Sequence, residues 1–299
     1  MVRYVLAALA LKMFSANGTT KALYRRIGNT LGQQTRKNPK LPSRLRKGNR
    51  MISLCDKYSA VQPGDTLFEL GTGWIHWYAV YLRLHYDVGI TMFDVWDNRQ
   101  FEAFQLCFSK LGASVKADHG YPDRMADLLD RISAVESFEE LYRLLGLEYA
   151  IESEGRLDQF QDCSFDCVFS VDVLEHVSGA HAQLLAEEIH RILKPGGYSI
   201  HQIGLGDHLS HYDKKESPKN YLRYSDSTWK TFFENDVQYF NRLQVPDWLG
   251  LFDEAGFSLL EKITASHSIE SIRIDPKYEK YEKDDLECTR LTIIHRKPE

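Results

Sequence analysis

The sequence predicts an α/β fold in which helices cover both faces of a doubly wound, mostly parallel sheet. Seven short apolar stretches alternate with helical periodicity from residue 61 to residue 299. Strands that alternate with helices form parallel sheets, because each crossover brings the chain back over one face. The predicted strands are 66–70, 88–93, 149–152, 165–171, 198–203, 257–264 and 291–295.

Residues 1–60 predict a helical N-terminal extension before the 61–299 domain, with a polar linker over residues 33–43, which contain Pro39 and Pro42. Val2, Leu6, Leu9 and Met13 share one face of the first predicted helix. We expect this face to pack against the rest of the chain; the alternative is that it lies on a membrane surface.

Two insertions are expected within the domain. Residues 112–146 are longer than a connection between strands requires, and Ser137–Glu140 has the pattern of a capping box, so a helical insertion is predicted there. Residues 206–250, after the fifth strand, predict a helical cap on the side of the sheet where a substrate would bind.

Charge is divided unevenly along the chain. Residues 1–50 contain 12 Lys and Arg and no acid, whereas the remainder has 25 Lys and Arg against 42 Asp and Glu, a net charge of −17. The basic extension therefore predicts contact with an anionic surface, which could be lipid headgroups, nucleic acid or the acidic body itself. Nucleic acid is not expected as a substrate, because the acidic body would repel phosphates.

The expected localisation is cytoplasmic. The five cysteines form no C-x-x-C pair and no disulfide framework is needed, which favours a reduced compartment. The apolar run 4–11 is too short to span a membrane, since a spanning helix needs about 20 residues. Peripheral contact of residues 1–50 with the inner membrane face is the alternative.

A glycine-containing turn follows the first predicted strand, with the sequence Glu69-Leu70-Gly71-Thr72-Gly73. Glycines in such a turn allow the backbone to approach a ligand closely. Asp94 ends the second predicted strand, at the distance expected for an acid that binds a ribose. A dinucleotide fingerprint has a third glycine, but Ile75 and His76 stand there instead, which disfavours a nicotinamide dehydrogenase.

Two further segments complete the pattern, Phe165-Asp166-Cys167-Val168 leading to Leu174-Glu175-His176-Val177, and Leu193-Lys194-Pro195-Gly196-Gly197. With the E-x-G-x-G turn and Asp94, the sequence resembles class I S-adenosylmethionine-dependent methyltransferases over residues 60–205, and more loosely beyond. The resemblance implies a Rossmann-like fold and S-adenosylmethionine as the cofactor. We expect Leu193–Gly197 itself to be a helix stop and a turn with no ligand role.

The resemblance also implies roles for individual residues. Glu69, Gly71 and Gly73 would surround the methionine part of the cofactor, and Asp94 would bind the ribose hydroxyls. An acid after the third strand would meet the adenine, for which Glu154 and Asp158 are both candidates. Asp172 and Val173 would line the floor of the cofactor site.

The loop after the fifth strand is rich in histidine. It should face the acceptor, because ligands bind beyond the carboxyl ends of parallel strands. His201 or His208 is the expected general base that takes a proton from a hydroxyl. Two alternatives stay open: a metal site built from Asp207, His208, His211 and Asp213, or side chains that only order the loop. The leading interpretation assigns no metal.

The segments after this loop resemble bacterial methyltransferases associated with sugar and polysaccharide tailoring. This narrower resemblance implies an acceptor near His208, with contacts from a set of polar residues: His211, Tyr221, Arg223, Asn241 and Arg242. The alternative is that these residues form a helical cap held by ordinary salt bridges, with no contact to an acceptor.

The function expected from these patterns is O-methylation of a sugar or another hydroxylated small molecule. One alternative is a methyltransferase that acts on a lipid or a lipid-linked glycan at a membrane surface. Another is a partner protein that binds the cofactor without catalysis.

Overall fold

A computed structural model describes residues 2–36, 41–117, 121 and 123–299, and the side chains of residues 29–36 and 123 lie outside this description. The α-helices are α1 (Val2–Phe14), α2 (Gly18–Arg36), α3 (Leu41–Tyr58), α4 (Trp77–His85), α5 (Phe101–Ala117), α6 (Asp123–Ser133), α7 (Phe138–Leu145), α8 (Gly179–Ile192), α9 (Asp226–Phe232), α10 (Val245–Glu254) and α11 (Lys283–Glu287). The strands are β1 (Thr66–Leu70), β2 (Gly89–Asp94), β3 (Leu147–Ile151), β4 (Phe165–Val171), β5 (Leu193–Gly204), β6 (Ser258–Ser266) and β7 (Cys288–Arg296).

The strands form one seven-stranded sheet in the order β3-β2-β1-β4-β5-β7-β6. The first five in this order pair in parallel, and β7 runs antiparallel to both of its neighbours. The predicted doubly wound, mostly parallel sheet is therefore confirmed. Its order reverses direction at β1 and β4, so the loops after these strands diverge and leave a crevice for a ligand.

Apolar helix faces cover the sheet on both sides. One core contains β1 and β2 residues such as Leu67 and Ile90 together with the inner faces of α3 to α7. The other contains Phe68 and Val168 and is closed by α8 and α10. The alternation of Leu67 and Phe68 between the two cores is the period-two pattern of a strand buried on both faces.

A third apolar cluster joins the N-terminal helix to the segment after β5. Tyr4, Ala8 and Leu11 of α1 are buried against residues such as Tyr221 and Trp229. The prediction for α1 was wrong in its face: Val2, Leu6, Leu9 and Met13 are exposed, by 73%, 60%, 43% and 74%. The aromatic and small residues on the opposite face fit the cap, and the aliphatic stripe points outward.

Two predicted connections are shorter than expected. The segment 193–197 belongs to β5, where a register shift against β4 between Phe165 and Cys167 accommodates the proline and glycines. A polar linker was expected over 33–43, but α2 continues to Arg36 and α3 begins at Leu41; residues 37–40 lie outside the described residues.

Candidate active site

The loop after β1 is shaped by two glycines in the left-handed region of the backbone. Gly71 has φ 74° and Gly73 has φ 66°. A Cβ on Gly71 would lie only 2.4 Å from a methyl group of Val173, whereas a Cβ on Gly73 would meet no atom within 4 Å. The loops after β1 and β4 thus touch at Gly71, and open space lies beside Gly73.

Asp94 connects the loops after β1 and β2. One carboxylate oxygen accepts a hydrogen bond from the Gly73 amide at 3.0 Å, and the other accepts from the Val95 amide at 2.8 Å. Burial raises the pKa of this carboxyl, and the backbone amides counteract the shift. The structure therefore brings together three of the residues expected to bind the cofactor: Gly71, Gly73 and Asp94.

Glu69 is buried at the base of this loop, with 1% of its surface exposed. Burial raises the pKa of its carboxyl to about 8, and the hydroxyl of Thr72 opposes the shift. Among the described residues, its Oε2 atom has no hydrogen-bond partner. A buried carboxyl oxygen without a partner is costly, so the site fits a ligand that supplies an N–H or ammonium donor there.

His76 also belongs to this loop, although its sequence pattern did not predict a site residue. It is fully buried with φ 46°, and its ring nitrogens lie 2.8 Å from the hydroxyls of Thr72 and Tyr142. Burial lowers the pKa of His76 to about 3, so the ring is neutral. His76 thus connects the glycine turn to α7. This contact could not be predicted from the sequence near His76, because Tyr142 lies far away in the chain.

A cavity of about 320 Å³ lies between α2 and the loops after β1 and β2. Its lining includes Tyr24, Arg25, Trp74 and Trp96. The Arg25 guanidinium lies over the Trp96 ring, 3.8 Å from its centroid. The volume is within the range of small-molecule sites, and the N-terminal extension forms one wall of it.

The loop after β4 contains Asp172 and Val173. Val173 lies against Gly71, whereas the Asp172 carboxylate pairs with Lys47 of α3 and with Arg290 of β7. Burial raises the pKa of Asp172, but the two cations outweigh this effect and lower the pKa overall. The carboxylate expected to line the cofactor floor is therefore already paired within the protein.

The acids proposed to meet the adenine lie on the exposed loop after β3. Glu154 and Asp158 both pair with Arg156, at 2.6 and 3.7 Å. The choice between Glu154 and Asp158 stays open.

The assignment of His201 as a general base was wrong. This residue lies within β5 with no exposed surface, and its ring nitrogens lie 2.7 Å from the hydroxyls of Ser170 and Ser199. Burial lowers the pKa of His201 to about 3. With both nitrogens engaged inside the sheet, His201 cannot reach an acceptor.

His208 lies in a short 3-10 turn (His208–His211) after β5, at the same edge of the sheet as the cofactor loops. Its ring centroid is 5.0 Å from that of His176 and 6.0 Å from that of His211. Burial lowers the pKa of His208 to about 4, and the neighbouring histidines add to the shift. The ring is therefore neutral at pH 7 and has a lone pair for a proton or a metal ion.

Two residues expected to contact the acceptor have structural roles instead. Tyr221 has no exposed surface, and its hydroxyl accepts hydrogen bonds from Lys219 and Gln244. The Asn241 side chain donates to the carbonyls of Leu174 and Val177, each at 2.9 Å. Tyr221 fills the core of the cap, and Asn241 holds the turn that contains His176.

The two arginines expected at the acceptor also bind within the protein. Arg223 donates to Asn220 and to the Ser271 carbonyl. Arg242 pairs with Asp226 at 2.7 Å. These contacts are the ordinary ion pairs and hydrogen bonds of a helical cap.

The four-residue metal set suggested by the sequence does not form. Asp207 is buried, and its carboxylate accepts from the Tyr4 hydroxyl at 2.5 Å and from the Leu209 amide at 2.8 Å. Asp207 therefore fixes α1 to the loop instead of facing His208. His208 lies close to Glu175 and His176 of the loop after β4.

Residues 122–201 match the family described as a methyltransferase domain. A search of curated protein sequences gave no significant match. The expected enzyme class and its cofactor, S-adenosylmethionine, agree with the family match.

Several solved structures share the fold at low sequence identity. A proposed sarcosine dimethylglycine methyltransferase from Galdieria sulphuraria is 14% identical with a TM-score of 0.50, over 85% of this chain and 86% of that one. A protein from Methanosarcina mazei described as an S-adenosylmethionine-dependent methyltransferase is 16% identical with a TM-score of 0.45, over 81% and 96%.

A third similar structure is phosphoethanolamine N-methyltransferase 2 from Haemonchus contortus, in complex with S-adenosylmethionine. It is 16% identical with a TM-score of 0.47, over 84% of this chain and 53% of that one. At these sequence identities the likeness concerns the fold alone.

Proposed function

We propose that this protein transfers a methyl group from S-adenosylmethionine to a hydroxyl oxygen of a sugar or another hydroxylated small molecule. The observation that carries the proposal is the cradle after β1. It combines open space beside Gly73, a buried Glu69 oxygen that has no hydrogen-bond partner in the described part of the chain, and Asp94 at the edge of the same loop.

Each part of this cradle matches one part of the cofactor. The Glu69 carboxyl suits the ammonium of the methionine moiety, and Asp94 can accept hydrogen bonds from ribose hydroxyls. The Trp74 and Trp96 rings beside the cavity provide apolar area for a nucleoside base.

The acceptor chemistry is proposed from His208. Bound S-adenosylmethionine supplies an electrophilic methyl on a sulfonium, so the hydroxyl oxygen gains that methyl and loses its proton. His208 is neutral and lies beyond β5, which supports a role as the base that receives the proton. The remaining task of the protein is to align the reactants and exclude water.

Calorimetry with S-adenosylhomocysteine tests the cofactor site. Asp94→Ala should weaken binding at least about 10-fold, because it removes the charge-assisted hydrogen bonds from two ribose hydroxyls to the carboxylate. Asp130→Ala on α6 is the control: this exposed acid pairs with Lys116 and should leave affinity unchanged. Absence of binding to the folded wild-type protein would refute the proposed function.

Turnover with a panel of hydroxylated sugars tests the acceptor chemistry. His208→Ala should keep cofactor affinity but lower the rate of S-adenosylhomocysteine formation at least about 100-fold. His181→Ala is the control, because His181 is exposed and its ring lies 2.6 Å from the hydroxyl of Ser178, a neighbour in sequence. Cofactor binding without turnover on any acceptor would favour the non-catalytic partner instead.

A second candidate acceptor is a lipid or lipid-linked glycan, and the exposed stripe on α1 favours it. Val2, Leu6, Leu9 and Met13 form an apolar stripe on a helix whose other face is docked on the cap. Arg3 lies beside this stripe, and basic side chains near an apolar face are typical of helices that bind anionic membranes. None of the described helices has the length and hydropathy to cross a membrane.

Sedimentation with vesicles tests this second candidate. Wild-type protein should sediment with vesicles that contain anionic phospholipid and should dissociate from them at high salt. Leu6→Glu should bind these vesicles much more weakly. Thr19→Ser, at an exposed position of α2, is the control and should bind as the wild type does. Equal binding by Leu6→Glu and wild type would exclude the stripe as the contact.

A further inference from the structure

Glu175, His176 and His208 lie together beyond the carboxyl ends of β4 and β5. One potential ligand atom from each residue lies within 4.8 Å of the other two. Ligand atoms on a common ion, with bonds of about 2.0–2.2 Å, stand within about 4 Å of one another. A small rotation of the side chains would therefore bring all three onto one ion.

Glu175 is held in this position by burial and by a glycine. Its side chain is only 3% exposed and accepts a hydrogen bond from the Gly204 amide. A Cβ on Gly204 would lie 2.5 Å from the Oε1 atom of Glu175, so the carboxylate needs a glycine there. The Oε2 atom has no hydrogen-bond partner among the described residues.

His176 is oriented by the segment that precedes α10. Its Nδ1 atom lies 2.6 Å from the Tyr239 carbonyl, which can only accept, so Nδ1 must carry the hydrogen. In the neutral ring the lone pair is then on Nε2. A backbone carbonyl that fixes the tautomer in this way is the usual outer partner of a metal-binding histidine.

We propose that Glu175, His176 and His208 bind a divalent transition-metal ion such as Zn²⁺. Two imidazoles and one carboxylate are the donor set of open zinc and iron(II) sites. Mg²⁺ and Ca²⁺ prefer oxygen donors and are not expected. Three protein ligands leave at least one position free, and the exposed side of His176 connects the group to solvent.

The role of this ion rests on the proposed function. An acceptor hydroxyl that occupies the free position would be held beside the cofactor loop, and the ion would lower its pKa. His208 would then be a ligand in the metal-loaded protein and a base in the metal-free protein. A sugar with neighbouring hydroxyls is the acceptor class that can chelate such an ion.

Calorimetry on full-length protein tests metal binding without any activity measurement. After dialysis against a chelator, wild type should take up one Zn²⁺ per chain and should not take up Ca²⁺ under the same conditions. Glu175→Gln and His208→Ala should each weaken Zn²⁺ binding at least about 100-fold, since loss of an outer partner alone costs about 10–100-fold. His176→Gln, at an exposed position, should do the same without affecting the fold, which circular dichroism verifies.

The control is His181→Ala, which removes a neighbouring exposed histidine and should leave Zn²⁺ affinity unchanged. The proposal fails if wild type takes up no Zn²⁺, or if His176→Gln and His208→Ala bind it as tightly as wild type. Methyl transfer that persists after chelation, with no metal uptake, overturns this inference but not the proposed function. Zn²⁺ uptake by a protein that binds no S-adenosylhomocysteine supports this inference and overturns the proposed function.

Discussion

Gly71 and Gly73 differ in what surrounds them, although both have positive φ. Gly71 is packed against Val173, whereas the space beside Gly73 is open. An L-residue in the left-handed region costs about 1–2 kcal/mol, and overpacking adds about 1–3 kcal/mol. Alanine substitutions at the two positions therefore distinguish the cost of backbone strain from the cost of steric overlap.

We expect Gly71→Ala to lower the free energy of unfolding by about 2–5 kcal/mol, from strain together with overlap. Gly73→Ala should cost about 1–2 kcal/mol from strain alone. Urea denaturation measures both, and S-adenosylhomocysteine affinity shows whether the smaller change still blocks the ligand. Equal destabilisation by the two variants would contradict the packing of Gly71 on Val173.

The role of a residue could be predicted from the sequence where it depends on local backbone geometry. It could not be predicted where it depends on packing against distant segments of the chain. Gly71, Gly73 and Asp94 come together because turn chemistry and strand ends are local properties. His201 and Tyr221 have the chemistry of site residues, but burial decides their role. Burial depends on β7, α10 and the cap, which lie far away in the chain.

His201→Gln tests the structural role of His201 through pH. The folded pKa of about 3 lies below the ordinary value of 6.5, so the unfolded chain binds the extra proton. The stabilising contribution of neutral His201 is complete above pH 6.5 and is lost as pH falls toward 3. The advantage of wild type over His201→Gln in unfolding free energy should shrink by about 1.4 kcal/mol per pH unit below 6.5.

Denaturation from pH 7 to pH 4.5 measures this difference. The folded fraction of His201→Gln should keep its affinity for S-adenosylhomocysteine and its turnover at pH 7. A selective loss of turnover would restore His201 as a base.

At the scale of elements, buried strands were predicted well because they read as continuous apolar runs bounded by turns. β1 and β4 have the predicted bounds. The start of β5 was missed, because proline and glycines at 195–197 read as a turn and their pairing depends on strands distant in sequence. The buried face of α1 was predicted wrongly because periodicity gives this helix two faces of moderate hydropathy. The Tyr4 face is the buried one because Tyr4 packs into the aromatic cluster of the cap.

Tyr4→Phe should loosen α1 from the cap. The Tyr4 hydroxyl donates to Asp207, which is 1% exposed, and loss of this donor leaves a buried acceptor without one of its partners. We expect a loss of about 1–3 kcal/mol in unfolding free energy and faster hydrogen exchange in α1. Tyr212→Phe is the control: its hydroxyl bonds to Gln238 at the surface, so the change should be within about 0.5 kcal/mol.

At the scale of the whole molecule, the basic extension contacts the acidic body. Lys21 pairs with Asp236, and Lys47 pairs with Asp172. The charge count predicted an anionic contact surface, and these pairs supply one within the chain. Composition alone could not choose between the body and a membrane, because both present negative charge to the same lysines and arginines.

The helices of this extension should respond differently to salt. None of the described α2 side chains, up to Gly28, is fully buried. The contact of α2 with the body depends on charge, on the Arg25–Trp96 pair and on half-buried Tyr24, whose hydroxyl accepts a hydrogen bond from Gln238. In α3, Met51, Leu54 and Cys55 are buried in the main core. Because the screening length falls from about 10 Å at 0.1 M salt to about 3 Å at 1 M, charge contacts weaken and apolar ones do not. Hydrogen exchange in 1 M NaCl should therefore accelerate in α2 and stay unchanged in α3 and β1. Uniform acceleration, or none in α2, would show that charge does not hold the extension on the body.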